Sequence, residues 1–473
     1  MNQIQYRDIY LHYLRIAERY LPFALIMATV ILSSLINQLF LISAALLLSA
    51  LLLFLKVPEL PLAVIFNGTL LYFYLVYRLG FQTSRPLTAA FYGLLAFSFM
   101  IAGLLTLIKN YRYFYLSIVD ILFSVFFLMI FLSYLAFSTN NINAYRKVTY
   151  APVLAIAPYM GARLLFFEMR VRKFLKYSFT VAIVLMIPAF YEFIYNPAVT
   201  QRIRYSMFMF KNFANVDNPM LLGNTYAILI IIILIWRLET HRFKLRHLIL
   251  LALSAHLVLL SGSRGIIVSL ATAITFYFLF LSSLRAPRKF FIITALVLMF
   301  VVNYLLLPNR LANFYQYSIT AQARQESTSS IQMRLDKWER AINDIKQHPV
   351  LGLGIGNSDR GSGRPHNIIL EIAVELGIPG MFIFILLCYA VIKKAMYYLR
   401  VNEFTKSNIL MKIALVVFIQ SLTHNMFSGI VTDQIRLFIS MGLIVCLDNI
   451  RLANTYSDIN AVSHLQKTAI AGT

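Results

Sequence analysis

Charged residues are scarce in this sequence, and their scarcity decides the class of protein. Asp, Glu, Lys and Arg make up 13% of the 473 residues, against about 25% in soluble proteins. Hydrophobic residues make up 60%, and apolar runs of bilayer-spanning length recur from end to end. A soluble enzyme is therefore excluded. The composition predicts an all-α polytopic integral membrane protein, because helices satisfy their own backbone polar groups within lipid.

Acidic residues are the scarcer charge: 19 Asp and Glu against 42 Lys and Arg give a formal net charge of +23. In a soluble protein this excess would indicate nucleic-acid binding. In a membrane protein, basic residues concentrate in cytoplasmic loops and contact anionic headgroups. We therefore expect the lipid bilayer as a partner and no nucleic acid. The positive-inside rule predicts a cytoplasmic position for four basic clusters, at 170–176, 237–246, 285–289 and 393–412.

Several motifs are also missing. The two cysteines, Cys388 and Cys446, lie in apolar runs, which argues against a disulfide framework or a cysteine-based zinc site. There is no GxxxxGK[ST] motif, and the glycine run 352–357 ends in Asn357, where the dinucleotide fingerprint requires glycine. We interpret these glycines as tight turns with positive φ. Neither an Asp-x-Asp pair nor HExxH occurs, so we expect no metal and no cofactor.

The apolar runs organise the chain. They predict about 12–14 transmembrane helices at about 20 residues per span. Residues 1–20 are polar and basic, without a cleavage site, so they predict a cytoplasmic interfacial segment and not a secretory signal. The predicted spans are 21–36, 39–55, 61–77, 88–108, 114–137, 150–167, 177–195, 221–235, 247–260, 265–281, 290–307, 380–392, 409–426 and 430–446.

Counting spans between the basic clusters divides the chain into five parts. We expect transmembrane helices in 1–199, and further transmembrane helices with outer arginine segments in 200–307. One large, partly helical outer loop follows in 308–379. C-terminal transmembrane helices occupy 380–450, and a cytoplasmic tail occupies 451–473.

The outer loop contains two predicted helices. The first begins at Ser330 as N-cap and ends before Pro349, with an apolar stripe at helical spacing. The second is capped by Asn367 and ends at Gly377. His366 therefore precedes a helix N-terminus, where backbone N–H groups and the helix dipole favour anions.

Three arginines lie in segments predicted to be outside, where the positive-inside rule does not explain them: Arg204, Arg264 and Arg334. Arg264 stands between glycine and serine residues near membrane depth, where a charge is costly unless it meets an anion or extends to the headgroups. Guanidinium binds phosphate oxygens bidentately, and histidine accepts a proton from a hydroxyl at neutral pH. Together these residues predict a pyrophosphate site beside a base, His366.

Further polar residues are secondary candidates. Glu371 and Glu375 are one turn apart after Asn367, so they could orient His366 or form a metal site with His348. His424 belongs to a polar patch near the outer end of a late helix, where an interhelical hydrogen bond is the alternative explanation.

The order of four motifs resembles the bacterial O-antigen ligase and O-antigen polymerase family over about residues 200–447. Arg204 with Asn218-Pro219 is similar to an earlier outer segment of that family. The family's Arg-x3-Leu element, however, is matched by neither Arg204 nor Arg334. The four motifs are Ser261-Gly262-Ser263-Arg264-Gly265, Arg334-Leu335-x2-Trp338, His348-Pro349-x2-Gly352-x-Gly354 and His366-Asn367-x9-Gly377-x2-Gly380.

The resemblance implies a GT-C-like, lipid-dependent membrane glycosyltransferase that is metal-independent and inverting. Its donor would be a glycan on undecaprenyl pyrophosphate, and its acceptor a glycan or the lipid A-core. His366 would activate the acceptor, Arg264 and Arg334 would hold the pyrophosphate, and Arg204 would assist. The protein would lie in the bacterial cytoplasmic (inner) membrane, with the active site in the large periplasmic loop 308–379.

Three functional hypotheses remain open at this point. The first is an O-antigen or surface polysaccharide polymerase, which extends one lipid-linked glycan with another. The second is an O-antigen ligase, which joins the glycan to lipid A-core. The third is a lipid-linked glycan transporter, although transporters carry charges at the bilayer midplane in matching halves, whereas the unexplained arginines here lie on one predicted face.

Overall fold

The computed structural model describes residues 57, 59–67, 104–105, 107–108, 111, 114–138, 141–195, 219–241, 243–306, 321–359, 364–401, 407–428 and 434–471. Every regular element within these ranges is helical. The predicted all-α polytopic membrane fold is confirmed. The predicted spans 21–36 and 39–55 lie outside the described residues, as does Arg204.

The helices follow one another along the chain with short connections. A π-helical turn at Pro152–Ile156 joins α3 to α4, and another at Tyr277–Leu281 extends α8. The bounds are α1 Glu59–Phe66, α2 Ile118–Phe137, α3 Ile142–Ala151, α4 Ala157–Arg163, α5 Glu168–Tyr195, α6 Pro219–Glu239, α7 Leu245–Leu260, α8 Arg264–Phe276, α9 Ala286–Leu305, α10 Ala321–Gln347, α11 Ile368–Val401, α12 Ser407–Ser428 and α13 Ile435–Ala471.

Within the described ranges, six segments are long and apolar enough to cross a membrane: Ile118–Phe137, Leu222–Glu239, Arg264–Leu281, Ala286–Leu305, Ile368–Val401 and Asn408–Phe427. α7 is apolar but shorter. These segments match spans predicted from the sequence, although α11 is longer than the predicted span 380–392.

α6 lies at the centre of the helical bundle. It packs against α5, α7, α8 and α12, and its aliphatic run from Ile228 to Ile235 is buried on all sides. A helix that is apolar all round is expected in such a position. α9 is the opposite case, because Phe290, Phe291 and most of its other apolar side chains are exposed, as suits a helix that faces lipid.

Two local predictions were wrong. Ser330 is not an N-cap, because α10 begins nine residues earlier, at Ala321. The segment 321–329 contains good helix formers and neither proline nor glycine, so the helix extends through it. The basic cluster 170–176 is not a loop either: it lies in the first turns of α5, where Arg172 pairs with Glu168 one turn away.

Candidate functional site

A glycine-containing connection, residues 348–365, leads from α10 to His366. Glycine is required at its turns. Gly352, Gly354 and Gly356 have φ of 65°, 87° and 78°, which confirms the predicted positive-φ turns. A Cβ atom at Gly352 would lie 2.6 Å from the carbonyl carbon of Glu375, and one at Gly356 would lie 2.3 Å from the amide nitrogen of Ala144. The connection therefore passes too close to neighbouring backbone for any side chain at these two positions.

His366 lies at the end of this connection with an exposed side chain. Its φ is 52°, in the left-handed region, which costs a non-glycine residue about 1–2 kcal/mol. Strained backbone of this kind is often retained at functional sites. The preceding residue fixes the turn, because the Pro365 carbonyl accepts a hydrogen bond of 2.8 Å from Trp338 Nε1 on α10.

Asn367 caps α11, as the sequence predicts. Its Oδ1 accepts hydrogen bonds from the amides of Ile369 at 3.0 Å and Leu370 at 3.2 Å. Gly377, with φ of 72°, interrupts α11 ten residues after Asn367, which confirms the predicted end of the short helix. His366 is thus held immediately before a helix N-terminus, where the dipole favours an anion.

Arg334 belongs to the same region of the molecule. It lies on α10 one turn before Trp338, so both residues occupy the same side of that helix. Its side chain is exposed. The hydrogen bond from Trp338 to Pro365 therefore brings the side of α10 that carries Arg334 against the His366 turn.

Arg264 is the first residue of α8, and its side chain is exposed. α8 packs on α12, and a Cβ atom at Gly265 would lie 3.2 Å from Phe427 Cβ near the end of α12. Among the described residues, the Arg264 side chain forms no hydrogen bond or ion pair. The structure thus places the start of α8, which carries Arg264, beside the end of α12, and shows no bond between Arg264 and His366.

His424 is buried on α12, close to Arg264's helix. One turn earlier, Gln420 Nε2 donates to Asn224 Oδ1 at 2.7 Å and to Ser269 Oγ at 3.2 Å. These bonds join α6, α8 and α12, so part of this polar patch has the interhelical role that the sequence offered as its alternative explanation.

Glu371 has a partner that the sequence did not predict. Its Oε1 accepts from the buried Lys147 ammonium of α3, which also lies 2.6 Å from Glu375 Oε1. Ser358 Oγ donates to the same Glu375 oxygen at 2.6 Å. Burial would lower the pKa of Lys147, but the two carboxylates outweigh burial and raise that pKa above its usual value.

The sequence carried a signal for Lys147. The buried side chains of α3 are Ala144, Lys147 and Ala151, spaced by three and four residues as on the apolar stripe of a helix. A lysine on such a stripe requires a buried acid as its partner. The pattern indicates that a carboxylate is needed, but it cannot say which one.

Comparison with known proteins finds a family for part of the chain. Residues 249–385 match a family model described as O-antigen ligase. The matched part begins in α7, ends in α11 and includes Arg264, Arg334 and His366, whereas Lys147 and His424 lie outside it. No curated protein matches the chain. The match confirms, over residues 249–385, the resemblance to the O-antigen ligase family that the sequence motifs indicate.

Proposed function

We propose that the protein transfers a glycan from undecaprenyl pyrophosphate to an acceptor sugar hydroxyl on the periplasmic face of the inner membrane. The match of residues 249–385 to the O-antigen ligase model supports a membrane glycosyltransferase of that family. Within the family we favour a surface polysaccharide polymerase, and ligation of the glycan to lipid A-core is the alternative. The donor, the acceptor and the bilayer are its proposed partners.

The observation that carries this proposal is the joining of the Arg334 helix to the His366 turn. Trp338 binds the carbonyl directly before His366, and Asn367 directly after it caps a helix. A base, an exposed guanidinium and a helix N-terminus thus lie in one region. This is the set of groups that transfer from a lipid pyrophosphate requires, namely a proton acceptor beside stabilised negative charge.

The reaction proceeds in one displacement. His366 accepts the proton of the acceptor hydroxyl, whose oxygen attacks the anomeric carbon of the donor sugar. The bond from that carbon to the pyrophosphate oxygen breaks, and the configuration at the carbon inverts. The leaving pyrophosphate gains charge, which fixed guanidinium groups stabilise. We assign this role to Arg334 and Arg264, with Arg204 assisting, and we assign no metal to the reaction.

The proposed orientation rests on where the basic residues lie along the helices. Lys394 is 14 residues after Gly380 in the part of α11 that follows the Gly377 interruption, about 21 Å along the helix at 1.5 Å per residue. Lys394 pairs with Asp448, and Lys412 pairs with Glu239. With this basic end in the cytoplasm, the loop 308–379 is periplasmic, helices occupy 1–199, 200–307 and 380–450, and 451–473 is a cytoplasmic tail.

Purified protein in lipid vesicles, supplied with undecaprenyl-pyrophosphate glycan, provides the test. We expect His366→Ala to lower transfer by about 100-fold or more, because the general base is lost. His348→Ala is the matched control, since His348 is exposed in the same connection and has no assigned role. Equal activity of wild type and His366→Ala, with both proteins folded, would falsify the catalytic role of His366.

The surface polysaccharide of a deletion strain distinguishes the acceptors. A core that carries a single repeat indicates a polymerase. A bare core, with lipid-linked polymer accumulating, indicates a ligase. An unchanged polysaccharide pattern contradicts both and favours a lipid-linked glycan transporter.

A further inference from the structure

We propose that Lys147 is a positioning residue for the His366 turn, an assignment that rests on the proposed function. Its ammonium group holds the short helix that starts directly after Asn367. Lys147 belongs to α3, outside the O-antigen ligase match at 249–385. A part of the chain that the match does not include therefore completes the site.

The ammonium group joins two helices through buried charges. Glu371 and Glu375 lie one turn apart at the start of α11 and present the same side of it to Lys147. The Lys147 side chain is 4% exposed, and Glu371 and Glu375 are fully buried. Charges in such a setting must be compensated locally, since water cannot reach them.

The compensation depends mainly on Lys147. Each carboxylate binds the ammonium through Oε1, while both Oε2 atoms accept no hydrogen bond in the described part of the chain. Arg364 interacts electrostatically with Glu371, and the Ser358 hydroxyl adds a neutral donor to Glu375. Loss of the Lys147 charge would leave two carboxylates facing each other without their shared cation.

Further hydrogen bonds attach the glycine-containing connection to α2 and to the start of α3. Asn141, which precedes α3, donates through Nδ2 to Asn357 Oδ1 at 2.7 Å and to the Gly356 carbonyl at 3.2 Å. The Ile355 amide donates to Ser133 Oγ on α2 at 3.1 Å. The glycine-containing connection is thereby attached to the outer ends of α2 and α3.

The connection is attached on its other side to the start of α11. The Leu353 amide donates to the Val374 carbonyl at 2.7 Å, and the Gly354 amide donates to the Glu375 carbonyl at 3.1 Å. α3, the connection and the first turns of α11 therefore form one layered unit. Its position relative to α10 sets where His366 stands beside Arg334.

Lys147 acts on His366 indirectly. The Glu371 amide donates to the Asn367 carbonyl at 2.9 Å. The carboxylate that binds Lys147 therefore lies one helical turn after the cap residue. A buried ion pair is poor evidence of stabilisation, because apolar residues of similar volume often stabilise as well or better. What an apolar replacement does not provide is a fixed position for two specific carboxylates, and hence for the helix that follows His366.

The test compares full-length Lys147→Met with Lys412→Met in lipid nanodiscs. Lys412 is the control, because it is a lysine that pairs with one partly exposed glutamate, Glu239, at the other end of the bundle. We measure hydrogen exchange of amides 352–376, and kcat and KM for transfer from undecaprenyl-pyrophosphate glycan. Lys147→Arg keeps the positive charge and is the rescue variant.

We expect Lys147→Met to lower kcat by about 10–100-fold with KM changed by less than about threefold, since misplacement affects the reacting geometry. Exchange at Leu353 and Gly354 should become faster. Lys412→Met should change neither, and Lys147→Arg should restore most of kcat. Equal effects of the two methionine variants, or wild-type exchange and kcat in Lys147→Met, would overturn the assignment.

Two further outcomes are decisive. If Lys147→Met does not fold, the triple variant Lys147→Met/Glu371→Gln/Glu375→Gln, which carries none of the three buried charges, replaces it. A low kcat in the folded triple variant supports the role, and wild-type kcat overturns it. If the wild type itself transfers no glycan, the proposed function fails, and the positioning role for transfer falls with it; faster exchange in Lys147→Met would then establish only a structural clamp.

Discussion

At the scale of single residues, Arg264 has an exposed side chain, and its guanidinium forms no hydrogen bond or ion pair within the described ranges. Lysine at this position keeps the charge but loses the planar fork that binds two phosphate oxygens. Arg264→Lys should therefore retain thermal stability while kcat/KM for transfer falls by about tenfold, equivalent to about 1.4 kcal/mol.

Arg288→Lys is the matched control for Arg264→Lys, because Arg288 is exposed near the opposite end of the bundle. It should leave kcat/KM unchanged. A loss of transfer in both variants, or in neither, would contradict a phosphate-binding role for Arg264.

The residue scale also separates what the sequence could predict from what it could not. Asn367 and Gly377 were predicted because capping depends on neighbours within four residues. The partner of Glu371 was missed, because Lys147 is 224 residues away along the chain. Charge alone suggested a metal or a histidine as the partner, and only the packing of α3 on the connection identifies the lysine.

At the scale of elements, the connection between α10 and α11 is fixed by glycine backbone that touches its neighbours. Gly356 has positive φ, and a side chain there would meet the backbone of Ala144 on α3. Gly356→Ala should lower the free energy of unfolding by more than about 1 kcal/mol. The apparent melting temperature should fall as a result. Limited proteolysis between 348 and 367 should become faster, and transfer should fall with it.

Gly265→Ala supplies the comparison for stability. Gly265 does not have positive φ, and its closest neighbour would be a Phe427 side-chain atom at 3.2 Å, which can shift slightly. Its melting temperature should fall less than that of Gly356→Ala. Equal losses would show that the backbone conformation at Gly356 is not what holds the connection.

Helix boundaries were predicted well where a local signal ends the helix and poorly where none exists. The end of α10 at Gln347 agrees with Pro349, which excludes the preceding residue from the helix. Its start was missed, because Ser330 has the chemistry of a cap but lies in a run that can continue as helix. Propensity cannot choose between these two possibilities, because contacts with the rest of the protein decide.

At the scale of the whole molecule, the sequence predicted a helical membrane protein but not which helix is central or how the bundle satisfies its buried charges. One such charge is Arg163 at the end of α4, which is 1% exposed. Its Nε lies 3.1 Å from Asp120 Oδ1 on α2, and its Nη2 donates to the Tyr115 carbonyl at 2.7 Å. Tyr159 donates to the same Asp120 oxygen at 2.5 Å.

The cluster of Arg163, Asp120 and Tyr159 should determine the stability of the fold without affecting the transfer rate. Asp120 lies 13 residues before Ser133 on α2, about 20 Å along the axis from the bond to the connection. Arg163→Met removes the cation and leaves a buried carboxylate, which costs about 3–5 kcal/mol. The double variant Arg163→Met/Asp120→Asn has no such charge and should recover much of that stability. Thermal unfolding in one detergent measures all three proteins.

The transfer rate of the folded fraction then distinguishes an effect on bundle stability from an effect on the active site. It should stay near wild type in the double variant, because Lys147, the connection and the His366 turn are unaltered. A double variant as unstable as Arg163→Met would mean that Arg163 contributes through packing on Phe114, whose ring centroid lies 4.5 Å from the guanidinium carbon, and not through charge. A stable double variant with slow transfer would mean that the Asp120 end of α2 is coupled to the site, and would contradict a purely structural role for Arg163.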